Sequence, residues 1–96
     1  MEVVVRLPGA LQEYASGARK VVVTCGGAGS TTVCDVLDRL AVVHPMLERR
    51  IRDEAGGLRR HVNVFVGADN IRDLSALDTE VPPSTEVIVL PAISGG

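Results

Sequence analysis

Thr32-Val33-Cys34-Asp35-Val36-Leu37-Asp38-Arg39-Leu40-Ala41-Val42-Val43-His44-Pro45 is the stretch on which the fold turns. Val33, Val36, Leu37, Leu40 and Val43 recur at helical intervals and form one apolar stripe, with Asp35, Asp38 and Arg39 facing away. Thr32 is placed to cap the N-terminus, and Asp35 in the first turn suits the positive end of the helix dipole. His44-Pro45 ends the helix, because the residue before a proline is pushed out of the helical region. His44 falls on the extended stripe and reads as a packing residue. Cys34 falls at its margin and reads as a half-buried inert thiol.

Around this helix the apolar pattern changes to period two, the signature of strands. Glu2 to Leu7 is a strand with Val3, Val5 and Leu7 on one face and Glu2, Val4 and Arg6 on the other; Pro8-Gly9 stops it. Ala10 to Ala18 reads as a loop with at most one helical turn around Leu11–Tyr14. Lys20 to Thr24 is a second strand, close enough to pair with the first as a hairpin. After the helix, His61 to Val66 is a strand with Val62, Val64 and Val66 inward and Asn63 and Phe65 outward. Gly67-Ala68-Asp69-Asn70 turns the chain, Ile71-Arg72 suggests a very short strand, and Asp73 to Thr79 a loop with a helical turn. Pro82-Pro83-Ser84 is a stiff turn into the last strand, Glu86 to Leu90, where Val87 and Val89 oppose Ile88 and Leu90; Pro91 is expected to stop it.

Two segments resist a regular reading. Gly26-Gly27-Ala28-Gly29-Ser30-Thr31-Thr32 precedes a helix, the geometry that can hold phosphate, but it lacks a P-loop lysine and reads as a flexible connector. Met46 to Arg60 reads as an irregular, solvated, charged loop. Arg49, Arg50, Arg52, Arg59 and Arg60 supply half of the 10 basic residues there, so the alternative is an electrostatic docking patch for an acidic partner.

Composition sets the limits. A chain of 96 residues fits one domain, 1–96, against roughly 100–200 residues for a typical domain. The apolar share is 46% but the aromatics are only Tyr14 and Phe65, so the core is aliphatic. A net charge of −2 argues against a nucleic-acid binder, and no apolar run is long enough for a bilayer. The N-terminus lacks signal-peptide features, and a cytoplasmic location is expected. Cys25 and Cys34 form neither a C-x-x-C pair nor a plausible zinc set with the distant His44 and His61. A persulfide-carrying cysteine is the alternative to an inert one.

The order strand, strand, helix, strand, short strand, last strand points to an α+β chain. The specific expectation is a β-grasp fold of the ubiquitin kind, a mixed sheet of four to five strands wrapped around one main helix. One helix covers one face of a sheet, which leaves Val4, Phe65, Ile88 and Leu90 on the uncovered face. An apolar patch on a small domain points to a protein partner. The sequence closes on Ala92-Ile93-Ser94-Gly95-Gly96, read as a flexible tail ending in two residues without side chains and a carboxylate.

With these features the chain resembles the ThiS/MoaD family of ubiquitin-like sulfur-carrier proteins across nearly its whole length. The likeness is carried by Val3-Val4-Val5-Arg6-Leu7, Thr32 to Leu40, Arg60 to Val66 and, above all, Glu86 to Gly96. The Leu90-Pro91-Ala92 ending and the long segment before Val62 are most similar to the CysO-type branch. Pro82-Pro83-Ser84-Thr85 departs from the Asp-Gly-Asp type of turn found in many relatives.

The resemblance implies a protein co-substrate with no catalytic side chains, cofactor or metal of its own. A ubiquitin-activating-enzyme-like adenylyltransferase, using ATP, would adenylate the Gly96 carboxylate; a sulfur donor would then convert it to a thiocarboxylate. Gly95 and Gly96 would thread narrow active sites, Ile93 would anchor the tail, and Phe65, Ile88 and Leu90 would dock the body. A sulfur-accepting biosynthetic enzyme, making cysteine or another sulfur-containing metabolite, would be the second partner. Neither nucleic acid nor membrane is expected as a partner. The alternatives are the small subunit of molybdopterin synthase and a ubiquitin-like protein modifier.

Overall fold

A computed structural model describes residues 1–26 and 29–91. β1 (Glu2–Arg6) and β2 (Lys20–Thr24) form the expected antiparallel hairpin, in register from Glu2 opposite Thr24 to Arg6 opposite Lys20. β7 (Val87–Pro91) lies beside β1, parallel to it, and antiparallel to β4 (Val62–Val66). β5 (Asp69–Asn70) completes a five-stranded mixed sheet in the order β2-β1-β7-β4-β5. First and last strands lying parallel at the centre, with a helical crossover between them, give the β-grasp arrangement expected from the element order.

α1 (Val33–Val43) packs on one face of this sheet. Its cap is as the sequence indicates: Asp35 donates its N–H to Thr32 Oγ1 at 3.2 Å, satisfying one of the free donors of the first turn. Val33, Val36, Leu37 and Leu40 are fully buried against the inward residues Val3, Val5, Val64, Val87 and Val89. Each such side chain contributes on the order of 1.5–3 kcal/mol by leaving water. Val43, assigned to the same stripe, is instead 58% exposed. It is the last residue of α1, so no further turn follows to carry the stripe across the core.

The largest difference from the sequence reading lies after His44. The segment beginning at Met46 is not a loop throughout: Pro45 is the first residue of a second helix, α2 (Pro45–Ile51). Proline fits the first helical position because its missing N–H would be unpaired there anyway. Leu47 and Ile51, one helical turn apart, are fully buried and extend the core. Arg52, just past the end of α2, is buried as well. Its Nε donates to the Glu48 carboxylate, and its Nη2 donates to Asp38 Oδ1 at 2.8 Å, tying α2 to α1. Burial works against the Arg52 charge, but the bonds to Glu48 and Asp38 outweigh it and raise the guanidinium pKa.

Smaller corrections follow. Thr31–Thr32 is not only connector: as β3 it pairs with β6 (Glu80–Val81) in a separate two-stranded ladder. The short strand expected at Ile71-Arg72 lies two residues earlier, as β5 within the stretch read as a turn, and Ile71 instead opens a 3-10 turn and is fully buried. Pro91 does not stand outside the last strand but closes it, opposite Val62. It is tolerated because the β1 pairing on the other side of β7 has ended by Ile88. The 3-10 helix over Gly9–Ala15 is longer than the single helical turn expected around Leu11–Tyr14. Thr85 donates its N–H to Pro82 O across the Pro-Pro turn, and Gly27 and Ala28 of the expected connector lie outside the described residues. Among the described residues, no buried side-chain polar atom lacks a hydrogen-bond partner.

Candidate functional site

Strand alternation fixes what the second face of the sheet presents. Val4 stands opposite Val22 on β1 and β2. Arg6 stands between Lys20 and Ile88, and Ile88 opposite Phe65, so these four form one row across β2, β1, β7 and β4. Leu90, opposite Asn63, begins the next row toward the end of β7. Val4, Phe65 and Ile88 are half-buried, while Val22 and Leu90 are 51% and 42% exposed. The uncovered apolar face expected from a one-sided helix layer is therefore present.

Val22 was missed in the sequence, although the signal was there. In Lys20-Val21-Val22-Val23-Thr24 the buried residues are Val21 and Val23, which leaves Val22 on the face of Lys20 and Thr24. A valine between two polar neighbours on a face without a helix needs an explanation other than core packing.

One ion pair crosses this surface. Arg6 Nε donates to Glu86 Oε1 at 2.7 Å, with both side chains substantially exposed. The bond from Arg6 holds the Glu86 carboxyl below its usual range, with Lys20 adding a smaller attraction; in return Glu86 raises the pKa of Arg6. An exposed pair of this kind adds little to stability. Its position between the Val4–Val22 pair and the Ile88–Phe65 pair instead places opposite charges at fixed points in an apolar surface, which favours one docking orientation over others.

The proposed docking residues Phe65, Ile88 and Leu90 thus share one face. Ile93, Gly95 and Gly96 lie outside the described residues. What is described is their point of departure: Pro91 ends β7 immediately beyond Leu90, so the five-residue tail leaves from the edge of the apolar face. Neither cysteine is placed on this surface. Cys25 is buried, and the half-buried Cys34 sits on α1 with its Sγ 3.8 Å from Arg52 Nη1. Among the described residues, no group of three or more His, Cys, Asp or Glu side chains is arranged to hold a metal ion. Among them, too, no helix is long and apolar enough to cross a membrane.

Comparison with known proteins agrees with this architecture. The sulfur carrier protein CysO of Mycobacterium tuberculosis is 29% identical over the full length of both chains. The small archaeal modifier protein 1 of Haloferax volcanii is 35% identical, over 84% of this chain and 86% of that protein. Among solved structures, the Amycolatopsis orientalis BexX/CysO complex contains a chain that superposes with a TM-score of 0.80 at 30% identity, covering 98% of this chain and 99% of that one. The ThiS family model matches residues 5–96. With that match running from β1 through the closing Gly95-Gly96, the chain belongs to the ThiS family of ubiquitin-like sulfur carriers and small modifiers.

Proposed function

We propose that this chain is a CysO-like sulfur carrier, a protein co-substrate that carries sulfur on its C-terminal glycine for the biosynthesis of cysteine or a related sulfur-containing metabolite. The observation that carries the reading is the junction of two features. β7 brings the start of the tail to the edge of an uncovered apolar face, and the sequence beyond it closes on Gly95-Gly96. The full-length likeness to CysO supports the same reading, as does the solution of a CysO in complex with another protein.

The chemistry follows from the carboxylate. A carboxylate is a poor electrophile, so a ubiquitin-activating-enzyme-like partner first joins the Gly96 carboxylate to AMP from ATP, releasing pyrophosphate. A sulfide equivalent then attacks the acyl carbon, AMP leaves, and Gly96 ends as a thiocarboxylate. The sulfur stays nucleophilic and can be passed to an electrophilic acceptor in a second enzyme. Gly95 and Gly96 admit the backbone to a narrow channel that side chains would block. Ile93 anchors the tail in the partner, and Phe65, Ile88 and Leu90 dock the body, as large apolar side chains at the centre of an interface commonly do. The carrier itself contributes no acid, base or metal to these steps.

A second reading, a ubiquitin-like modifier attached to lysines of other proteins, is favoured by the likeness to small archaeal modifier protein 1. Intact-mass spectrometry separates the two. The chain is incubated with an adenylating enzyme of the ubiquitin-activating type from the same genome, ATP and sulfide. Carrier function predicts the mass change of one oxygen replaced by sulfur, localised to Gly96. Modifier function predicts protein conjugates instead, in a lysate supplied with ATP. An unchanged mass, with the enzyme shown to be competent on another carrier, contradicts both.

A further inference from the structure

β7 has an open flank. Its pairing with β1 stops at Ile88 opposite Arg6, whereas its pairing with β4 continues to Pro91 opposite Val62. The chain turns away at Pro8 and folds into the Gly9–Ala15 turn, leaving a groove where a neighbouring strand would otherwise lie. Pro8, Leu11, Tyr14, Val89, Leu90 and Pro91 form its apolar lining, with Arg50 and His61 beside them. Its volume of about 260 Å³ is below the roughly 300–1,000 Å³ of small-molecule sites and suits one or two side chains of a docked protein segment.

The charge on the rim is one-sided. The Arg50 guanidinium lies 4.8 Å from the centre of the Tyr14 ring, which holds it over the groove wall. Arg59 and Arg60 directly precede His61 and line the surface next to the groove rather than the groove itself, and Arg59 Nε donates to Arg49 O at 2.7 Å, fixing that side chain against α2. Among the described residues, no carboxylate pairs with Arg50, Arg59 or Arg60: Glu54 goes to Arg49, Glu48 and Asp38 go to the buried Arg52, and Asp53 accepts from the N–H groups of Ala55 and Gly57. A chain of net charge −2 therefore carries a local positive strip beside an apolar seat.

We infer that this groove is a second docking site, adjoining the open sheet face at Leu90, for an acidic segment bearing an apolar side chain on the enzyme that adenylates Gly96. The inference rests on the carrier reading above. Charge complementarity selects an acidic occupant, and the lining selects an apolar residue within it. The location selects a protein that takes up the tail, because Leu90 and Pro91 form the wall and also immediately precede residues 92–96; in the carrier reading the adenylating enzyme is the first to do so. The apolar seat fixes position, while the arginines speed encounter and set the approach direction.

The test is stopped-flow association of the full-length chain with the adenylating enzyme that charges it, at low and high salt. The Arg50→Glu/Arg60→Glu double variant alters exposed side chains and is expected to stay folded, with a slightly lowered melting temperature from the lost Arg50–Tyr14 contact. It should associate about tenfold or more slowly at low salt, with the deficit shrinking as salt rises. Leu11→Asp, checked by its melting curve, should instead speed dissociation. Arg39→Glu, on exposed α1 surface outside the groove, should match wild type. Losses in proportion to the change in net charge, with Arg39→Glu showing about half the logarithmic deficit of the double variant, would show a net-charge effect and overturn the site. So would unchanged association of the double variant, a deficit confined to the sulfur-accepting step, or wild-type self-association lost in the double variant. If wild type is never adenylated, the carrier reading fails with it; if wild type and all variants are adenylated at equal rates, the groove alone fails.

Discussion

The two faces of the sheet are built from nearly the same amino acids and have opposite fates. On the inner face Val3, Val5, Val64, Val87 and Val89 are buried under α1 and α2. On the outer face Val4, Val22, Phe65, Ile88 and Leu90 alternate with inward residues along their strands, and among the described residues no helix covers them. The inner set is explained by stability alone. The outer set keeps apolar surface in water, which gives folding little; under the proposed carrier function it is the surface that meets another protein. Adjacent residues on one strand therefore answer to different pressures, and substitutions at neighbouring positions can separate them.

The sharpest break in the comparison is between Val89 and Leu90. Val89→Asp places a carboxylate in the fully buried centre of the core and should cost more than about 4 kcal/mol, enough to unfold a domain of this size; denaturant titration reads it directly. Leu90→Asp, one residue on, should change stability by no more than about 1 kcal/mol. Its cost should appear in partner affinity, at about 2 kcal/mol or more, measured by calorimetry with the adenylating enzyme. If both variants unfold, Leu90 belongs to the core and the outer face is not a spare surface.

Arg52 tests what holds the cover on the inner face. Arg52→Ala leaves the largely buried Glu48 carboxylate and Asp38 without their shared guanidinium, and a loss of about 1.5–3 kcal/mol in chemical denaturation is expected. Sheet-face docking should be unchanged once the variant is folded.

The smallest effect belongs to the outer face. Arg6 holds the Glu86 carboxyl below its ordinary value, so the pair's stabilisation is present above the unfolded carboxylate range. It is lost as pH falls through the lowered folded value. Arg6→Gln should raise the Glu86 titration midpoint in an NMR pH series and remove that acid-side component, with little change near neutrality. A Glu86 midpoint that does not respond would mean the pair does not form in solution.

These contrasts also show why some of the molecule was legible in the sequence and some was not. Where one periodicity ran uninterrupted, as in Glu2–Arg6, Val62–Val66 and the Val33–Leu40 stripe, residue parity alone separated the inward positions from the outward ones. α2 was hidden because Pro45 was read only as the end of α1, and because Glu48, Arg49 and Arg50 surround the two residues, Leu47 and Ile51, that bury it. Read as a first helical residue, Pro45 would have announced it. The β3–β6 ladder had no comparable signal: each strand is two residues long, and its partner lies far off in sequence. At the docking face, Phe65, Ile88 and Leu90 followed from strand parity, whereas the groove beside Tyr14 depends on where β1 stops pairing with β7, a tertiary fact no local pattern records.

The central claim is that the outer face and its departing strand serve chemistry at the Gly96 carboxylate. It is tested most directly by intact-mass spectrometry of the wild-type chain beside a chain carrying one added alanine after Gly96, each incubated with the adenylating enzyme, ATP and sulfide. The account predicts that the wild type gains the mass of a thiocarboxylate while the extended chain, folded and able to bind, stays unchanged. An extended chain that is charged as readily as wild type, with its added residue still in place, would contradict it.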